Sequence, residues 1–207
     1  MLKLFGGRKL GLVGLDISAS AIKLLELSRD DGGYVVESYG AEPLPENTVV
    51  EQNIVDVDAV AEAIKRLQAS TQFKSKLAAV AVAGSAVITK TIEVPASLKE
   101  NQIEEQLLMD ADQYIPYPLD EVALDFQVLE TTARSEDMVD VLIAACRQEH
   151  IESRQAAVEA SGLSPEVIDI EAHCVQRAIA LDLELFTRDP ALGVPDVLAI
   201  LDIGADM

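Results

Sequence analysis

Two segments at opposite ends of the chain share a pattern that could do chemistry. Leu12-Val13-Gly14-Leu15-Asp16-Ile17-Ser18 and Leu198-Ala199-Ile200-Leu201-Asp202-Ile203-Gly204 are each an apolar run closed by Leu-Asp-Ile and a tiny residue. A carboxylate at a strand tip repels phosphate unless a cation such as Mg²⁺ stands between them, often through a metal-bound water. A turn of small residues beyond it lets backbone N–H groups approach phosphate oxygens and form an anion-binding concavity. Two such tips, facing each other, would clamp one magnesium-bound nucleotide from both sides. Their separation far exceeds a solenoid period, so the pair reads as a duplication in which each half supplies one aspartate. Asp-Ile-Gly alone is a common strand ending; the pairing carries the reading.

Other reactive residue types are sparse. Cys146 and Cys174 lie in apolar surroundings without CxxC or Cys/His spacing, and His150 and His173 are isolated, so nothing reads as a metal centre made by the protein alone. The 207 residues are 49% hydrophobic, enough for a real core, and carry a net charge of -20. That field repels nucleic acid and anionic headgroups, and favours basic partners. Lys3, Arg8 and Lys9 resemble a signal n-region, but Asp16 interrupts the apolar stretch that follows. The apolar runs are too short to span a bilayer, so direct membrane insertion is not expected.

The elements that must position the first aspartate are strands at 12–17 and 21–28, joined by Ser18-Ala19-Ser20, and a third strand at 34–39 after a strong Asp-Asp-Gly-Gly turn signal. Asp56 can cap a helix presenting Val57, Val60, Ala61, Ile64 and Leu67. Residues 77–83 form an apolar run suited to a strand buried on both faces. A strand at 87–94 follows, then a helix opened by a Ser97/Glu100 capping box, with Ile103, Leu107, Ala111 and Tyr114 on one face and Pro116 and Pro118 ending it. Strands at 122–131 and 138–145 complete a strand–helix–strand–strand unit. A helix from Gln148 to a Gly162 cap, a strand at 165–170 and a helix at 172–186 come next. A linker with Pro190, Gly193 and Pro195 leads to a last strand at 197–203, which opens a further sheet that the chain is expected to leave unfinished.

The first phosphate-loop pattern, Asp16 with Ser18, Ser20 and Lys23 seven positions after the aspartate, resembles that of the actin-like ATPase superfamily, and Asp202-Ile203-Gly204-Ala205 resembles its second. Ser18 stands where many members have Gly, so the backbone there must avoid positive φ. Longer stretches are similar to the PilM family of type IV pilus assembly proteins. They include Leu24-Leu25-Glu26-Leu27-Ser28, Glu42-Pro43-Leu44-Pro45, residues 80–93, Gln113-Tyr114-Ile115-Pro116-Tyr117-Pro118 and residues 139–147, and together the resemblance covers nearly the whole chain.

The resemblance implies an α/β fold, an actin-like ATPase (ribonuclease H-like) core lobe with an inserted α+β subdomain. The core would run over 1–84 and 148–194, the insert over 85–147, and 195–207 would hold the first strand and phosphate loop of a truncated second lobe. It implies ATP and Mg²⁺ as cofactors. Asp16 and Asp202 would organise the metal, while Ser18, Ala19, Ser20, Lys23, Gly204 and Ala205 would hold phosphate. No catalytic residue is assigned: Gln176 matches a water-positioning glutamine only loosely, a weak ATPase at most is expected, and the truncated chain is expected to be inactive. The implied role is a cytoplasmic adaptor, peripheral at the inner membrane, that binds the N-terminal tail of PilN and through it PilO. The tail would lie between core and insert near Ile88, Ile92, Tyr114, Ile115 and Tyr117. The alternatives are an FtsA-like division scaffold or the cytoplasmic domain of a type II secretion L component. A hexokinase-like metabolic kinase shares the core, but the insert offers no recognisable substrate cluster.

Overall fold

Alternation of apolar residues sets the first sheet. Val13 and Leu15 are buried, and so are Ile22 and Leu24 on the strand opposite, while Asp16 and Lys23 between them are exposed. A computed structural model describes residues 11–30, 33–129, 137–186 and 199–201. It divides into two compact units, one from residues 1–81 and 153–207, the other from 82–152.

The first unit opens with β1 (Val13–Ile17), β2 (Ala21–Asp30) and β3 (Gly33–Pro43), paired antiparallel in succession. A small hairpin of β4 (Val49–Val50) and β5 (Asn53–Ile54) leads to α1 (Val57–Thr71) and then β6 (Leu77–Val82), which pairs parallel with β1. The five-stranded order is β10-β6-β1-β2-β3, where β10 is Ser164–Ile170. One face of this sheet is covered by α1: Val60, Ile64 and Leu67 join Val13, Ile22, Leu24 and Ala78 in a single buried cluster. Each large apolar side chain removed from water there contributes about 1.5–3 kcal/mol. As the sequence indicates, the Asp56 carboxylate accepts the Ala59 N–H at 2.9 Å and caps α1.

Gly40 on β3 lies beneath α1. A Cβ there would meet Thr71 Cγ2 at 2.5 Å and Leu67 Cδ2 at 3.1 Å. Thr71 is β-branched, and its hydroxyl is tied to the Leu67 carbonyl at 2.6 Å, so it cannot swing aside freely. Gly40→Ala is expected to destabilise the fold by about 1–3 kcal/mol, read from urea unfolding midpoints.

The second unit holds β7 (Val87–Pro95), α2 (Glu100–Asp110), β8 (Val122–Val128) and β9 (Met138–Arg147), in an antiparallel sheet of order β7-β9-β8. α2 buries Ile103 and Leu107 against Val94, Val141 and Ile143. The capping box expected at Ser97 and Glu100 is not formed. Leu98 N–H turns back to the Pro95 carbonyl at 3.1 Å, which takes residues 96–97 into a turn, and Lys99 becomes the N-cap. Gln102 Oε1 then accepts the Lys99 N–H at 3.0 Å. The helix is also shorter than the apolar pattern suggests, ending at Asp110 with a 3₁₀ turn over Ala111–Gln113.

The chain re-enters the first unit along α3 (Gln148–Ala160). Gly162, at φ 87°, ends it: Gly162 N–H bonds the Glu159 carbonyl and Leu163 N–H the Val158 carbonyl, a Schellman closure. After β10 comes α4 (Glu171–Phe186). Among the described residues no helix is long and apolar enough to cross a membrane.

Candidate functional site

The turn between β1 and β2 carries the first group of expected site residues. Asp16 and Lys23 are direct cross-strand partners, and Lys23 Nζ lies 3.0 Å from Asp16 Oδ2. Both side chains are about half exposed, 49% for Asp16 and 54% for Lys23. An exposed pair of this kind adds only about 0–1 kcal/mol to folding, so both groups can exchange partners cheaply.

Ser18 closes the turn. Its N–H and its hydroxyl both donate to the Ala21 carbonyl, at 3.0 and 2.9 Å. The Ser20 carbonyl accepts the Leu44 N–H at 2.9 Å, which pins the turn to the segment after β3. Residues 18–20 all keep negative φ, so serine fits at 18 without strain. The structure therefore brings Asp16, Ser18, Ala19, Ser20 and Lys23 together at one sheet tip. The Ser18 N–H and hydroxyl are both engaged by the Ala21 carbonyl, which leaves the N–H groups of Ala19 and Ser20 and the exposed Ser20 side chain as the closer candidates for anion contact. Asp202, Gly204 and Ala205 lie outside the described residues.

Among the described residues no group of three or more His, Cys, Asp or Glu side chains could hold a metal. A lone exposed carboxylate such as Asp16 suits Mg²⁺, which keeps most of its waters and takes one or two protein carboxylates plus phosphate oxygens. The donor set fits a metal brought in on a nucleotide.

Two buried charged residues brace this unit, and the sequence reading passed over both. Glu26, on β2 beyond Lys23, is 5% exposed. Its carboxylate accepts Ser75 N–H at 2.8 Å and Lys74 N–H at 3.2 Å, which fixes the approach to β6. A charge on the same alternating face as Ile22 and Leu24 was the available signal. Arg154 on α3 is 4% exposed and donates from Nε to the Ala81 carbonyl and from Nη2 to the Gln52 carbonyl, both at 2.8 Å.

The five expected partner-binding residues all lie in the second unit. Ile88 and Ile92 alternate on one face of β7, and Ile92 packs against the α2 cluster. Ile115 is 4% exposed and belongs to the unit's own core with Ala111 and Ala145. Tyr114 and Tyr117 are half-buried, with Lys90 Nζ 4.6 Å from the Tyr114 ring centre and Arg147 Cζ 4.9 Å from that of Tyr117. Ile88 and Ile92 are half-buried too, so Ile115 alone of the set is buried.

Cys146 is buried, and burial, then the Asp169 carboxylate, pushes the Cys174 thiol above its ordinary range. Cys174 is expected to stay protonated at pH 8 and to react with a disulfide reagent more slowly than a free thiol. Its rate should still be climbing above pH 9, where that of a free thiol levels off; equal rates at pH 8 would contradict the assignment.

The arrangement, an antiparallel β1–β2–β3 set joined in parallel to β6 with an exposed Asp/Lys turn at its tip, fits the class of actin-like ATPase folds. Residues 14–207 match the family described as type IV pilus assembly protein PilM, and the chain belongs to that family. A solved structure of a PilM-PilN type IV pilus biogenesis complex is similar at a TM-score of 0.75 and 29% identity, over 87% of this chain and 53% of that one. The present chain thus spans about half the length of its counterpart. The cytoplasmic domain of EpsL, an inner membrane component of the type II secretion system of Vibrio cholerae, gives a TM-score of 0.48 at 16% identity, over 77% of this chain and 56% of that one. A Bacteroides thetaiotaomicron protein with an actin-like ATPase fold and unknown function gives 0.38 at 11%, over 89% and 61%.

Proposed function

We propose that the chain is the first nucleotide-binding lobe of an adaptor in the type IV pilus alignment complex, holding the N-terminal tail of PilN and through it PilO at the inner membrane. The observation that carries this reading is the likeness to the PilM-PilN complex, which accompanies a family match over residues 14–207. The turn at the tip of β1 and β2 supports the nucleotide half of the proposal.

In this reading Asp16 holds Mg²⁺ through water, and the metal offsets phosphate charge when bound. Lys23 gives up the Asp16 carboxylate for a phosphate oxygen, an exchange between two exposed ion pairs of similar cost. The backbone N–H groups of Ala19 and Ser20 face the anion, and Ser18 shapes the turn that presents them. Asp202, Gly204 and Ala205 supply the opposing wall. ATP then favours a closed arrangement of the lobes and alters tail affinity by population shift, with a weak ATPase activity at most. The tail meets the second unit at Ile88, Ile92, Tyr114 and Tyr117, the half-buried members of the expected set.

Calorimetry with a synthetic PilN N-terminal peptide, with and without Mg-ATP, tests the proposal. Saturable binding that Mg-ATP changes in affinity supports it. Absence of peptide binding in both conditions would overturn the adaptor role.

A further inference from the structure

We propose a second docking site, independent of the PilN reading, along the free edge of β8 in the second unit. It takes an extended segment of another protein in which apolar residues alternate with basic ones. The site is a cavity of about 360 Å³ whose lining is mainly apolar, with Ala96, Leu98, Ile103, Phe126, Val128 and Val139, and includes the polar Glu100 and Gln127. It lies at the N-terminal turn of α2, whereas Tyr114 and Tyr117 follow that helix's other end.

Among the described residues β8 is an edge strand, hydrogen-bonded to β9 and to no other strand of its sheet. Its register shows which backbone groups face outward. Leu129 N–H bonds the Asp140 carbonyl at 2.8 Å, and antiparallel alternation then turns the N–H and C=O of Leu124, Phe126 and Val128 away from β9. Phe126 N–H meets the Asp125 carboxylate of its own strand at 2.8 Å, a local stand-in for a strand partner. The outward backbone and the cavity share Phe126 and Val128. A strand added at this edge gains main-chain hydrogen bonds while alternate side chains drop into the cavity. Val128, 42% exposed, leaves the entrance open.

Charge selects the occupant. Glu100 and Glu104 stand one helical turn apart on α2, Asp125 sits on the edge itself, and all three are exposed, against Lys99 at the N-cap. The whole chain carries -20, so a second copy is repelled and a basic segment attracted.

The test is fluorescence anisotropy of a labelled heptapeptide, Arg-Val-Arg-Val-Arg-Val-Arg, against the full chain and two variants. Val128→Pro deletes an outward N–H without touching the ladder to β9, and Ala96→Trp fills the cavity. Circular dichroism verifies that both variants fold. The expected result is saturable binding that either variant weakens at least tenfold, with no binding of the Glu-Val counterpart. Unchanged affinity in a folded variant would reduce the attraction to bulk charge and overturn the site, as would no binding at all. Self-association in sedimentation velocity that Val128→Pro abolishes would assign the edge to a second copy and equally overturn it.

Discussion

Lys23→Met in the intact protein is expected to weaken Mg-ATP binding about 10- to 100-fold, the loss of one charge-assisted hydrogen bond worth about 1.5–3 kcal/mol. The same change should move folding stability by less than about 1 kcal/mol, because the Asp16–Lys23 pair is exposed. This contrast gives the variant its value. A residue that merely decorated the hairpin would change neither quantity, and one that held the hairpin together would change stability first. Calorimetric titration with Mg-ATP alongside urea unfolding separates the three cases. Asp16→Asn should act differently from Lys23→Met: affinity for the magnesium complex falls, while metal-free nucleotide loses less because a repelling carboxylate has gone.

Arg154→Ala should show the opposite profile, destabilising the first unit by about 3 kcal/mol or more. Its guanidinium fork spans two carbonyls from segments far apart in sequence, Ala81 at the end of β6 and Gln52 in the β4–β5 turn. Glu51 and Gln52 form that two-residue turn at φ 48° and 66°, a left-handed pair more usual for Asn-Gly. Removing the arginine would leave two partly buried acceptors without this donor and release a turn held in costly geometry. Arg154→Lys should retain only part of the stability, since an ammonium lacks the planar fork. Urea unfolding followed by circular dichroism reads both; a loss below about 1 kcal/mol for Arg154→Ala would contradict the bracing role.

Periodicity explains what the sequence made legible. Two short β-rich runs on either side of Ser18-Ala19-Ser20 gave the hairpin, and helical spacing of Val60, Ile64 and Leu67 with an Asp56 cap gave α1. Features that depend on partners distant in sequence were not visible. Nothing local marks Arg154 as buried, because its reason is a pair of carbonyls more than seventy residues upstream. The start of α2 was missed because the turn after Pro95 outweighs a capping pattern that looks complete on paper. The tiny β4–β5 hairpin was missed because Glu51-Gln52 lacks the usual turn residues. The candidate site was legible on its first wall, where Asp16 and Lys23 face each other by register. Ile115 was read as a candidate contact for the tail, and its side chain is buried in the second unit's own core.

The central claim is that the β1–β2 turn grips the phosphates of a magnesium nucleotide. Amide NMR of the ¹⁵N-labelled protein during Mg-ATP titration tests it most directly. The account predicts that the largest shift changes fall on the backbone N–H groups of Ala19 and Ser20, and that Lys23→Met suppresses them. Nucleotide binding that leaves those two amides unmoved would contradict it.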